Sequence, residues 1–72
     1  MNKHPNNLSA HREKIGLTTM EMAIRLECSL TTVYSWESGN SFPKSPRVWL
    51  PIIEAAYEAH REELWPTKFP KK

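Results

Sequence analysis

The chain has 72 residues, a net charge of +2 at pH 7 and a single cysteine, Cys28. One cysteine excludes an intramolecular disulfide and a four-cysteine zinc site, so a chain this small must be stabilised by helix packing or oligomerisation. No apolar run approaches the roughly 18 residues of a membrane span, and the first residues lack a signal-peptide core. We therefore expect one domain over residues 1–72, soluble and cytoplasmic, with no membrane partner.

Charge is distributed unevenly along the chain. Lys and Arg outnumber Glu in residues 1–47, Glu predominates in residues 48–64, and the last residues are basic again. This division is typical of a protein that presents one side to a polyanion, although charge runs are more often simply solvated faces. Charge alone is therefore weak evidence for nucleic-acid binding.

Helix-ending and helix-capping residues predict the first two helices. A helix of about residues 7–15 should stop at Gly16, because glycine commonly ends helices. Thr18 and Glu21 then have the spacing of a capping box. That box predicts a second helix at about residues 19–26.

The second half of the chain predicts two further helices, and no segment has the alternation of a strand. Ser29 is the expected cap of a third helix at about residues 29–38. After a polar loop, Ser45-Pro46 supplies a cap and a first-turn proline for a fourth helix at about residues 46–64. Residues 65–72 have the composition of an irregular basic tail.

The fourth helix is expected to be irregular and to share one core with the other three. Pro51 cannot donate to the carbonyl four residues earlier, so the preceding turn is expected to be either separate or kinked. Apolar residues at helical spacing predict the members of the core. These are Leu8, Ile15, Met22, Ala23, Leu26, Val33, Trp36, Ile53 and Tyr57.

The second and third predicted helices are joined by only about two residues, Glu27 and Cys28. So short a link makes the helices cross steeply, and the small side chain of Ala23 allows them to approach. Val33 and Trp36 then point into the angle between the helices. The opposite side of the third helix carries mostly neutral hydrogen-bonding groups, of the kind that meet base edges or phosphates.

Residues 16–40, "GLTTMEMAIRLECSLTTVYSWESGN", with "FP" shortly after, resemble the helix-turn-helix of the Cro and repressor proteins of lambdoid phages and their bacterial relatives. The resemblance extends from Leu8 to about Tyr57. It implies an all-α, lambda repressor-like domain of four or five helices. It also implies a sequence-specific DNA-binding transcriptional regulator, a Cro-type repressor that acts as a dimer on an inverted-repeat operator. No cofactor, metal or small-molecule ligand is expected.

The resemblance implies roles for individual residues. Base contacts in the major groove are expected from Ser29, Leu30, Thr31, Tyr34 and Ser35. Contacts with the DNA backbone are expected from Thr19, Thr32, Ser38, Asn40, Lys44 and Arg47. Arg12 and Glu37 match a buried ion pair with a structural role.

The sequence departs from the family pattern at three points that bear on DNA reading. Glu27 stands at the usual glycine of the turn, so a left-handed conformation is expected there at a cost of about 1 kcal/mol. Thr19 replaces a frequent Gln, which shortens that phosphate contact. The outer side of the third helix lacks Gln, Asn, Arg and Lys, and with them the bidentate base contacts.

Ordinary structural roles compete for several residues. Leu30 has the spacing of a core-edge residue as much as that of a thymine-methyl contact. His4, His11 and His60 lack metal-ligand spacing and are expected to be surface residues. Cys28 is expected to be a small buried thiol rather than a redox sensor.

Two other functions fit the same scaffold: a protein-interaction module, antitoxin-like or structural, and an RNA binder. An enzyme is not expected, because the chain is too short to enclose a pocket and shows no triad or metal spacing. A homodimer is expected at least on DNA, weakly associated in free solution. Its surface is expected in the fourth helix and tail, where Trp49, Trp65 and Phe69 make an apolar region.

Overall fold

In the computed structural model, which describes residues 3–70, the chain forms five α-helices and no strand. The helices are α1 (Leu8–Lys14), α2 (Thr19–Leu26), α3 (Leu30–Glu37), α4 (Pro46–Tyr57) and α5 (Arg61–Leu64). The prediction of a small all-α fold is confirmed. No helix within the described range is both long and apolar enough to cross a membrane.

α2 and α3 begin immediately after Thr18 and Ser29, the residues whose side chains were predicted to cap them. Thr18 Oγ1 accepts from the Glu21 amide at 3.1 Å, and a Glu21 carboxylate oxygen accepts from the Thr18 amide at 2.8 Å. Ser29 Oγ accepts from the Thr32 amide at 3.2 Å. These bonds satisfy amides that have no partner inside a helix, and they fix where each helix starts.

The prediction of one helix over residues 46–64 is wrong. α4 ends at Tyr57, because Glu58 has a left-handed backbone with φ 54° and ψ 45°. The chain turns there, and α5 begins after His60, whose backbone is extended. The turn sends α5 back onto the core instead of extending α4 into solvent.

The start of α4 differs from its prediction in two respects. Pro46 occupies the first turn as predicted, but the Ser45 side chain makes no capping hydrogen bond. The Ser45 carbonyl instead accepts from the amides of Val48 and Trp49 at 3.0 and 2.9 Å. Pro51 lies inside α4, and the residues before it belong to the same helix rather than to a separate turn.

The hydrophobic core draws on all five helices. Its buried members are Leu8, Met22, Ala23, Leu26, Val33, Trp36, Leu50, Ile53, Ala56, Tyr57, Leu64 and Trp65. The sequence placed Ile15 among them, but Ile15 is only partly buried. Leu50, Ala56, Leu64 and Trp65 are additional members, and the last two reach the core because the chain turns after α4.

Residues 65–70 are irregular, as predicted, but two of their aromatic rings pack against the rest of the chain, and residues 71 and 72 lie outside the described range. Trp65 is fully buried, and its ring meets Phe42 edge-on at 5.1 Å. Phe69 packs beside Phe42, and Trp49 is partly buried against Trp36 at 5.1 Å. Trp65, predicted with Trp49 and Phe69 to make an apolar dimer surface in the fourth helix and tail, is therefore inside the core, while Trp49 and Phe69 are partly buried.

Candidate nucleic-acid interface

α2 and α3 are joined by a tight turn that fixes which side of α3 faces outward. Glu27 has φ 57° and ψ 44°, which confirms the predicted left-handed conformation. The Cys28 amide donates to the Ala23 carbonyl at 3.0 Å, which closes the end of α2. α3 then packs on the core through Val33 and Trp36, so its opposite side remains available to a ligand.

The residues predicted to contact bases differ in exposure. Ser29, Thr31 and Tyr34 are exposed, with Tyr34 at 54%. Ser35 is partly buried, and Leu30 is partly buried against the core, where it packs as an edge residue. The exposed side of α3 is therefore centred on Thr31 and Tyr34.

Several hydroxyl groups on and beside α3 bond to one another. Ser29 Oγ lies 2.7 Å from Thr32 Oγ1, and Ser35 Oγ lies 2.7 Å from Ser41 Oγ. Ser38 Oγ donates to the Ser35 carbonyl at 3.1 Å. A hydroxyl has one donor and two acceptor positions, so each group is oriented by its partner and keeps capacity for another bond.

A groove of about 410 Å³ runs along α3 and brings four of the predicted contact residues together. Those four are Thr31, Thr32, Ser35 and Lys44. Its other lining residues are Trp36, Ser41, Phe42 and Trp49. The sequence treated residues 41–43 only as a loop, and nothing in their spacing indicated that Phe42 would pack on Trp65. The groove places one ammonium group beside a row of hydroxyls.

The remaining predicted backbone contacts do not join this groove. Arg47 lines a second groove of about 470 Å³, together with Arg61 and Lys68. Thr19 is partly buried in the first turn of α2, while Ser38 and Asn40 are exposed just after α3. The contacts predicted for Lys44 and Arg47 therefore fall on two separate surfaces.

The far end of α3 is fastened to α1 and α4 by a buried polar network. Arg12 Nε lies 2.9 Å from a Glu37 carboxylate oxygen, with the side chains 13% and 8% exposed. The same oxygen accepts from the Tyr57 hydroxyl at 2.7 Å, and Arg12 also donates to the Leu17 carbonyl at 2.9 Å. The network satisfies a carboxylate that would be costly to bury alone.

The network affects two pKa values. The hydrogen bond to Glu37 raises the pKa of the Arg12 guanidinium, which stays charged. Burial raises the pKa of the Tyr57 hydroxyl well above its ordinary value, and the hydrogen bond to Glu37 adds to the effect. The sequence placed Tyr57 in the core but missed its bond to Glu37. The available signal was that a buried tyrosine hydroxyl needs a partner.

The histidines and the cysteine are dispersed. Within residues 3–70, no three His, Cys, Asp or Glu side chains lie close enough together to hold a metal ion. His60 is exposed, but His4 and His11, also expected on the surface, are partly buried, and His4 packs 5.8 Å from Phe42. Cys28 is partly buried, and desolvation raises the pKa of its thiol.

Comparisons with known proteins find no matching family model, no matching curated protein and no matching solved structure.

Proposed function

We propose that this chain is a sequence-specific DNA-binding transcriptional regulator, a Cro-type repressor that acts in the cytoplasm as a dimer on an inverted-repeat operator. One observation carries the proposal. α3 buries Val33 and Trp36, exposes a row of hydroxyls on its other side, and has Lys44 beside that row. The resemblance of residues 16–40 to the helix-turn-helix of phage repressors adds support.

In this proposal the outer side of α3 enters the major groove, which is wide enough to admit one helix. Ser29, Thr31 and Ser35 make single hydrogen bonds to base edges, and the Thr31 methyl can contact a thymine methyl. The Lys44 ammonium binds a phosphate and fixes the register of the protein without choosing the sequence.

Single hydrogen bonds discriminate less than the two-bond contacts of Arg or Gln, so one α3 helix would specify little. Two half-sites about one helical turn apart, roughly 34 Å, would combine two such helices. The molecule measures 32 × 23 × 23 Å, so two copies side by side fit that separation. Sequence-dependent DNA shape would supply the remaining specificity.

The proposal is tested by selecting bound duplexes from a random pool. We expect an enriched sequence with two-fold symmetry, and binding that weakens steeply with salt. Thr31→Glu should abolish binding, because a carboxylate in the groove is repelled by phosphates. Ala10→Glu is the matched control, since it adds the same charge at an exposed position of α1.

Three outcomes would contradict the proposal. Absence of any enriched duplex, with normal folding of the protein, would favour the protein-interaction module. Tighter binding to RNA than to every selected duplex would favour the RNA binder. Equal losses of duplex affinity in Thr31→Glu and Ala10→Glu would show that binding does not depend on the outer side of α3.

A further inference from the structure

A groove between the start of α4 and the residues after α5 combines apolar and basic side chains. Its volume is about 470 Å³. Leu50 in its lining is 2% exposed, and the rings of Phe42 and Phe69 are partly buried, so the deeper part of the groove is apolar. None of the lining residues is acidic. We call this the basic groove, lined by Phe42, Pro46, Arg47, Leu50, Arg61, Lys68 and Phe69.

Two of the three cations in the basic groove are not neutralised within the protein. Arg61 is neutralised, because its Nε and Nη2 atoms each lie 3.2 Å from an oxygen of the Glu54 carboxylate. Arg47 and Lys68 are exposed, and neither has a carboxylate partner among residues 3–70. The groove therefore has an excess of positive charge that an anionic ligand would neutralise.

Contacts with the aromatic rings hold two of these cations over the apolar part of the groove. Lys68 Nζ lies 4.7 Å from the centre of the Phe42 ring, and Arg61 Cζ lies 5.8 Å from the centre of the Phe69 ring. The Phe42 ring is itself held edge-on against the buried Trp65 at 5.1 Å. Since these groups are already ordered, a ligand loses little affinity to ordering them.

The combination of side chains limits which ligand fits. A phosphate backbone would pair with the cations but would leave the apolar part of the groove uncovered. Single-stranded nucleic acid stacks its bases on aromatic faces, but one face of both Phe42 and Phe69 is already covered by a cation. A segment with carboxylates around a large apolar side chain satisfies both parts, because carboxylates pair with Arg and Lys while the apolar group leaves water.

We propose that the basic groove binds an acidic peptide segment of a partner protein. A large apolar residue of the peptide covers Leu50 and Phe69, and carboxylates beside it pair with Arg47 and Lys68. These two cations belong to different segments of the chain, so each can bind its own carboxylate. The volume of the groove lies within the roughly 300–1,000 Å³ of binding sites for small ligands, enough for a few peptide side chains. This site does not depend on the proposed DNA binding.

The first experiment selects binders for the immobilised full chain from a displayed pool of random peptides. We expect enriched peptides in which Asp or Glu flanks a large aliphatic or aromatic residue. The same selection with Lys68→Glu should not enrich them. Enrichment of no peptide, or of apolar peptides without acidic residues, would overturn the proposal.

The second experiment measures the affinity of one enriched peptide for variants of the chain. Lys68→Glu and Arg47→Glu should each weaken binding about tenfold or more, because an attractive charge pair becomes repulsive. Lys14→Glu is the matched control, since it makes the same charge change at an exposed position of α1 that does not line the groove. Replacing the acidic residues of the peptide by their amides should weaken binding similarly. Equal losses from Lys68→Glu and Lys14→Glu would overturn the proposal.

Thermal unfolding of each variant shows that it is folded before affinities are compared. A larger loss of duplex affinity in Lys68→Glu than in Lys14→Glu would assign the basic groove to the DNA backbone and overturn the peptide site. Enriched acidic peptides with no enriched duplex would contradict only the DNA-binding proposal. An enriched duplex with no enriched peptide would contradict only the peptide site.

Discussion

The α2–α3 turn and the α4–α5 turn have nearly the same backbone, yet they lead to helices with different roles. Glu27 and Glu58 each follow a helix in a left-handed conformation, with φ 57° and 54°. Two residues later, Ser29 and His60 are both extended, with ψ 153°. Turn geometry alone therefore does not distinguish a helix that could read DNA from one that closes a core.

The second helix of each pair makes the difference. α3 has eight residues, enough to bury Val33 and Trp36 on one side and to expose hydroxyls on the other. α5 has four residues, and it delivers Leu64 and the following Trp65 to full burial. The same turn thus supplies a candidate interface in one place and part of the core in the other.

The largest expected effect comes from removing the aromatic anchor of either turn. Trp36→Ala and Trp65→Ala should each lower the free energy of unfolding by about 3–5 kcal/mol, because both rings are buried. So large a loss would unfold most domains of this size. Tyr34→Ala, on the exposed side of α3, is the control and should change stability by less than about 0.5 kcal/mol. Denaturant unfolding checks all three, and nearly unchanged stability of either Trp variant would show its packing to be wrongly assigned.

The next largest effect concerns the network of Arg12, Glu37 and Tyr57, which links α3 to α1 and α4 and does not include α5. Tyr57→Phe should cost about 1–3 kcal/mol at neutral pH, because it removes a 2.7 Å hydrogen bond to a buried carboxylate. Thermal unfolding at pH 7 measures the loss. A stability equal to that of the parent chain would mean that Glu37 is satisfied without this hydroxyl.

The same bond predicts a pH dependence with a definite sign. The native pKa of Tyr57 is raised above its unfolded value of about 10. Its contribution to stability is therefore complete below pH 10 and is lost as pH rises above it, since the unfolded chain ionises first. The stability difference between the parent chain and Tyr57→Phe should shrink from about pH 10 upward. A difference that grew over this range would contradict the burial of a neutral hydroxyl.

A smaller effect compares the two turns directly. Glu27→Gly should raise the free energy of unfolding by about 0.5–1 kcal/mol, because glycine adopts the left-handed conformation without steric strain. Glu58→Gly should raise it less, because it also removes the exposed contact with Arg25 at 3.3 Å. Paired unfolding curves measure both changes. Destabilisation by Glu27→Gly would mean that its side chain has a stabilising contact outweighing the strain.

The smallest expected effect distinguishes Lys44, beside α3, from Lys68, on the α5 side. Lys44→Ala should weaken binding to all duplexes similarly and reduce the slope of log affinity against log salt by about 1. Lys68, which lies 4.7 Å above the Phe42 ring on the α5 side, should leave the slope unchanged when replaced by Ala. Fluorescence titrations at several salt concentrations measure both slopes. Equal slopes for Lys44→Ala and the parent chain would remove Lys44 from the proposed interface.

The α2–α3 turn was predictable because its signals are local. Ser29 is a strong capping residue, and a short link after Leu26 leaves little choice of geometry. The resemblance added the left-handed position at Glu27. The core members contributed by α2 and α3 followed from helical spacing, whereas Ile15, which follows α1, was predicted in the core and is only partly buried.

The α4–α5 turn was not predictable by the same reasoning. Tyr57, His60 and Leu64 continue one stripe at helical spacing, and neither Glu58 nor His60 is a strong signal for ending or starting a helix. A left-handed conformation is unfavourable for Glu58, but the turn allows Trp65 to be buried. That burial offsets the conformational cost of the turn. Such compensation depends on tertiary packing, which spacing does not reveal. The two grooves lined by Phe42 also depend on tertiary packing, so the sequence did not predict them.

The most direct test of the central claim is to titrate the protein, labelled with ¹⁵N, with its selected duplex and follow the backbone amide signals. DNA binding through α3 predicts the largest shifts in residues 29–35 and at Lys44, which lies beside the outer side of α3. Shifts confined to the surface around Arg61 and Lys68, with residues 29–35 unaffected, would contradict the account.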